Sequence, residues 1–223
     1  SHLLLHLKPK ITDNLSHKPT TLNNYTVNFL AHAYLSFGDP KVLVGNFIGD
    51  FVRGDIENTY DKDIVAGIKL HWNIDKFTDS HPVVKEAQAI LRPEYGRYSM
   101  VITDMYFDYF LARYWKNYHH IPLDQFAEDV YNTIDEYGDT LPEKFLQTFG
   151  YMKYYNWLAG YGELDGIRRA MTGMAKRATF NSKMETAHVF LDEHHEYLKV
   201  HFGDFFEDMV AFSKKTLAEL RNT

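Results

Sequence analysis

The chain has 223 residues, 24 Lys and Arg against 30 Asp and Glu, and a formal charge of −6. At 45% hydrophobic and 16% aromatic it is too apolar for disorder, and its acidic balance gives no general attraction for nucleic acid. No apolar run is long enough for a bilayer, so no membrane contact is expected. With no cysteine there is no disulfide framework, which suits a reducing cytoplasm, and any metal must rely on His and carboxylate ligands.

In chain order, residues 1–26 come first: a brief apolar patch at Leu3 to Leu7, then mostly Lys, Pro, Thr, Asn and Ser. The patch is too short for a secretory signal. The expectation is a flexible or non-native extension, followed by a single domain over 27–223. From Val27 onward apolar residues recur at spacings of three and four, as in Leu70, Ile74 and Phe77. Breaks fall at Phe37 to Pro40, Arg53 to Asp63, His81 to Pro82, Arg92 to Gly96, His119 to Pro122, Gly138 to Pro142, Gly160 to Gly162 and Thr179 to Ser182. This pattern predicts an all-α fold, a single compact helical domain of about eight helices.

The first polar positions lie in NFLAHAYLS, where His32 follows Asn28 by four on an otherwise apolar helix. A lone histidine there is usually a satisfied core residue. In VGNFIGDFVRGD, Asn46 and Asp50 share one ridge while Gly45 and Gly49 share the next, which would let another helix approach closely. Arg53, at that helix end, can pair with Asp50, contact a phosphate or complement the helix dipole.

GIKLHWNIDKFTDSHP places His71, Asp75 and Asp79 on one ridge, with His81 two residues on. The ridge flanks the apolar stripe, so these side chains either line a cleft beside the core or form a solvated helix face. In VITDMYFDYFLARYW, Asp104 and Asp108 interrupt the stripe of Val101, Leu111 and Trp115 on a helix that is apolar nearly all round. Two buried carboxylates need a positive partner. An arginine such as Arg113 is one candidate and a divalent metal the other.

In the last third, Tyr151, Tyr154, Tyr155, Trp157 and Tyr161 read as packing residues. Arg168, Arg169, Lys176 and Arg177 give a basic helix surface, solvated or offered to a partner. His194, His195 and His201, interspersed with acidic residues, read as helix exterior.

Taken in order, NFLAH, GNFIGDFVRG, AGIKLHWNIDKFTDSHP and ITDMYFDYFLARYW resemble the acyl carrier protein phosphodiesterases, and the likeness continues through Trp157, GMAKR and LDEHHEYL. The resemblance implies an HD-domain-like phosphohydrolase that releases phosphopantetheine from a serine of acyl carrier protein. It implies a divalent metal, manganese first, with magnesium or iron(II) as alternatives. Asp50, His71, Asp75, Asp79, Asp104, Asp108 and Trp115 match the family pattern, and Asn28 and His32 match its opening motif. Tyr109 stands where the family often has His, Trp72 and Asn73 replace a basic pair, and the adjacent His-Asp doublet of ordinary HD enzymes is absent.

On this reading His71, Asp75, Asp104, Asp108 and Asp50 are the expected metal ligands. His32, His81 and Asp79 are the expected catalytic groups, with a histidine donating the proton. Asn28, Asn46 and Arg53, with Arg168, Arg169, Lys176 and Arg177, are expected to meet the substrate.

Overall fold

The structure, a computed structural model, describes residues 28–222. The expected extension over 1–26 lies outside these residues. Among the described residues twelve helices and four short 3-10 turns account for the regular structure, with no strand. The α-helices are α1 (Phe29–Tyr34), α2 (Pro40–Ile48), α3 (Ile56–Thr59), α4 (Lys62–Ser80), α5 (Pro82–Tyr95), α6 (Ser99–Arg113), α7 (Leu123–Asp135), α8 (Glu143–Tyr154), α9 (Trp157–Gly160), α10 (Leu164–Arg177), α11 (Ala187–Glu193) and α12 (His195–Arg221). The all-α expectation holds. Eight of the twelve have nine or more residues; of the four short ones, α1 is the helix read from NFLAHAYLS, while α3, α9 and α11, of 4 to 7 residues, are too short for apolar periodicity to show.

Local signals set the helix ends. Asp39 caps α2 by accepting from the N–H groups of Lys41 and Val42, and Pro40 fills the first helical position, where no N–H is needed. The His81-Pro82 step separates α4 from α5. Pro93 sits in the last turn of α5, and the helix stops at Gly96, whose φ of 54° suits glycine.

The crossing of α2 with α4 governs the centre of the fold. Val42 to Ile48 are all buried, so α2 is enclosed on every side. A methyl group on Gly45 would lie 2.1 Å from the Ile64 carbonyl oxygen, and one on Gly67 would lie 2.3 Å from that of Val42. The two backbones therefore touch, as the paired glycines of α2 suggested. The 27-residue α12 packs across α4 and α5, and α6 runs through the core with Ile102, Tyr106, Phe110 and Leu111 fully buried.

Gly45→Ala or Gly67→Ala should therefore cost at least about 2 kcal/mol, since backbone cannot yield as a side chain can. Gly150→Ala, whose new methyl meets nothing within 4 Å, should gain up to about 1 kcal/mol as a helix-interior control. Urea unfolding of the three variants checks the contrast.

Candidate metal centre

The helix crossing brings three elements to one point. α4 supplies His71 and Asp75, α1 supplies His32, and the turn after α2 supplies Asp50. Gly49 has to be glycine here, because a Cβ would lie 2.4 Å from Cγ of the His71 ring. The two imidazoles stack with their centroids 4.3 Å apart, and both are buried.

Asn46 orients both rings. Its amide nitrogen donates to the His32 carbonyl at 2.9 Å and to Ser36 Oγ at 3.1 Å, which turns its Oδ1 to His32 Nδ1 at 2.7 Å. Its backbone carbonyl lies 2.7 Å from His71 Nδ1. Both partners are acceptors, so both Nδ1 atoms carry the hydrogen and both Nε2 atoms present lone pairs. His32 Nε2 is buried without a hydrogen bond, 3.3 Å from Asp75 Oδ1. His71 Nε2 is 3.3 Å from Asp75 Oδ2 and from Asp50 Oδ1.

Lone pairs facing carboxylates repel unless a proton or a cation lies between them. Burial alone would lower the His71 pKa, but Asp50 and Asp75 outweigh it and hold the imidazole above its ordinary value. The donor atoms of His32, His71 and Asp75 all lie within 4.8 Å of one another. Two nitrogens and a carboxylate, with Nδ1–H groups held by other residues, match what a borderline divalent ion requires. Asp75 is 38% exposed, so the cluster opens to solvent.

Further carboxylates surround this centre. Burial, then Asp75, Asp79, Asp108 and Asp50, push Asp104 well above the ordinary carboxylate range. Burial and Asp75 raise Asp79 as well. No Lys or Arg pairs with Asp75, Asp79 or Asp104 among the described residues, and Arg113 faces Glu163 at 3.5 Å instead. The arginine alternative is therefore not realised at Arg113.

Asp108 differs from the ligand role expected of it. Its two oxygens accept from the N–H groups of Leu30 at 2.8 Å and Ala31 at 2.9 Å, the second and third residues of α1. The side chain of Asn28, at the N-cap position, makes no such bond, so a carboxylate from α6 caps α1. Burial pushes Asp108 up to about 8, against the pull of those two donors.

His81 turns to α12, with Nε2 3.2 Å from Asp208 Oδ2 and its ring between Phe77 and Phe205. Arg53 donates to the carbonyls of Gly49 and Val52 and makes no ion pair among the described residues. The Trp72 indole N–H reaches the same Gly49 carbonyl at 3.0 Å. Arg168 and Arg169 are both tied to Asp165, while Lys176 and Arg177 are exposed. His195 pairs with Glu196 and His201 with Glu86, yet their side chains are only 22% and 13% exposed and the His195 ring packs against Phe110, so the helix exterior expected of them is only partly realised. Tyr151, Tyr154 and Tyr155 are 58%, 74% and 61% exposed, so the packing role expected of them is corrected; Tyr161 is buried. Ser36, four residues after His32, is a site residue that the motif spacing did not single out, while Gly49, expected to admit a close neighbour, admits the His71 ring.

The acyl carrier protein phosphodiesterase family matches residues 27–209, and the chain belongs to that family. A relative from Enterobacter sp. (strain 638), named acyl carrier protein phosphodiesterase, is 34% identical over 189 residues, covering 84% of this chain and 98% of its own. One of the same name from Escherichia coli (strain ATCC 8739) is 33% identical over 193 residues, covering 86% of this chain and all of its own. No solved structure gives a significant match.

The electrostatics of the centre set a pH dependence. Asp79, Asp104, Asp108 and His71 all have raised pKa values. These four groups hold more protons in the folded than in the unfolded chain between about pH 5.5 and 8, so their contribution to metal-free stability falls as pH rises through that window. Melting in chelator from about pH 5.5 to 8 should show this fall, flattened in Asp104→Asn. Added manganese should oppose the fall, since its ligands must be deprotonated. A metal-free melting temperature that rises with pH would contradict the assignment.

Asp108→Asn should lower urea stability by about 1–3 kcal/mol, because the amide cannot accept from both N–H groups. It should weaken manganese binding without changing the stoichiometry. Loss of one bound ion per chain in calorimetry would instead make Asp108 a ligand.

Proposed function

We propose that this chain is a metal-dependent phosphodiesterase that cleaves the linkage between 4'-phosphopantetheine and the serine of holo acyl carrier protein, giving the apo protein. The single observation that carries the metal part is the buried, unpartnered His32 Nε2 aimed at Asp75 beside His71. Family membership and the names of the relatives support the substrate.

His32, His71 and Asp75 would hold the ion, with Asp50 next to His71 completing the set. Manganese suits two nitrogen donors and hard oxygens, with magnesium or iron(II) as alternatives. When bound, such an ion supplies an activated water and neutralises phosphate charge. His32, expected as the proton donor, is placed among the ligands in this reading, and His81 is engaged with Asp208.

The proton for the departing serine oxygen then falls to Asp104. Burial and the neighbouring Asp75 and Asp79 carboxyls favour the protonated form of its half-buried carboxyl. Asn46 and Ser36 hold the His32 ring in place, and the exposed Arg53 guanidinium has N–H groups left for a phosphate oxygen. No helix among the described residues is long and apolar enough to cross a membrane, and the absence of cysteine suits a cytoplasmic enzyme.

Mass spectrometry of holo carrier protein incubated with this protein and manganese tests the reading. The expected result is loss of the phosphopantetheine mass, abolished by chelator and by His32→Ala or Asp75→Asn. Asp104→Asn should retain the metal in calorimetry yet lose at least about 100-fold in turnover. An intact holo protein alongside hydrolysis of a nucleotide or another small phosphoester would move the activity to that substrate.

A further inference from the structure

Arg97 ends a cation-π stack that ties two distant parts of the chain together. Its guanidinium lies 4.7 Å from the ring centroid of Phe180, which is 63% exposed, and 5.3 Å from that of Tyr98. Phe180 follows the end of α10, where Lys176 and Arg177 are exposed four and three residues before it, and Lys183 is exposed three residues after. Arg92, in the last turn of α5, shares with Arg97, Gly96, Ser99 and Met100 the wall of a hollow of about 310 Å³. None of these five basic residues makes an ion pair among the described residues, and in the same segments only Glu94 and Glu185 oppose them. Five basic residues against Glu94, Glu185 and, near Tyr95, Glu193 leave this corner net positive on a chain of net charge −6.

The surface adjoins the candidate metal centre. Along α6, from Ser99 to Ala112, the residues not buried are Met100, Val101 and Asp104. They form one ridge, and four residues of helix put Met100 and Asp104 about 6 Å apart along the axis. Met100 is 44% exposed, so an apolar strip leads from the hollow to the carboxylates.

We propose that the corner formed by the end of α5, the turn before α6 and the end of α10 docks the protein substrate through that partner's carboxylate-bearing face. Phe180 and Met100 provide the apolar contacts, and the substituted serine extends over Met100 and Val101 to the metal centre. This rests on the carrier-protein reading and changes the expected docking set. Arg168 and Arg169 leave it because both are engaged with Asp165, which cancels half of their charge; Arg92 and Arg97 enter it. Exposed charges of this kind act chiefly on encounter and on its salt dependence.

The test uses the full chain with manganese and two substrates, holo acyl carrier protein and bis(4-nitrophenyl) phosphate, with binding of the carrier protein followed by fluorescence anisotropy. Arg92→Glu with Arg97→Glu should raise the KM and Kd for the carrier protein at least about tenfold and remove most of their salt dependence, while hydrolysis of the small diester is unchanged. Arg168→Glu should change the carrier-protein Kd less than about twofold. Phe180→Ala, a milder change, should raise the same Kd. Carrier protein bound and cleaved equally well by the double variant overturns the docking surface and leaves the chemistry standing. Carrier protein bound through these arginines but never cleaved overturns the chemistry and upholds the surface. Absence of binding to the wild type overturns the surface.

Discussion

Everything at the centre of this protein follows from how closely α2 and α4 can approach. With glycine at 45 and 67, the carbonyl of Val42 and the backbone of Ile64 occupy space that any side chain would fill. The same approach sets the His71 ring against Gly49 and under the Asn46 carbonyl, which holds its Nδ1–H. A wider crossing would lose that hydrogen bond. Helices that meet backbone to backbone cannot slide or rotate without steric clash, so ligand positions are held by packing rather than by flexible polar contacts.

Asn46 carries the polar consequences of that geometry. One side chain and one carbonyl together determine the tautomer of both histidines, because each offers an acceptor to an Nδ1 atom. Asp108 acts at greater range. By capping α1 from α6 it holds the short helix that carries His32, which at six residues would have little stability alone. A buried carboxylate is costly, and here the cost is offset by two backbone donors at a helix N-terminus rather than by a cation.

The carboxylates around His71 give the centre its character. Asp50, Asp75, Asp79 and Asp108 raise the cost of ionising Asp104, and Asp75 raises that of Asp79, a field that a divalent cation would relieve. The same field would repel the phosphate of a substrate, so positive charge has to be added at or beside the site. On the proposed reading that charge would come from an ion at the centre and from arginines at its edge, which would separate chemistry from recognition in space.

By itself the sequence determined the helical class, the eight longer helices and the ridge of His71, Asp75 and Asp79, since these depend on periodicity within one segment. It also showed that Gly45 and Gly49 would admit a close neighbour and, through the order of its motifs, pointed to the family. Tertiary structure decided what periodicity cannot encode: which partners meet across 14 to 127 residues of chain. Asp104 and Asp108 look alike on their helix, yet one faces the carboxylates and the other the end of α1. His32 and His81 were both expected as catalytic histidines, and only packing sent one to Asp75 and the other to Asp208. A helix sequence specifies which residues share a face, whereas the chemistry of a buried polar group depends on the groups that other elements bring to that face.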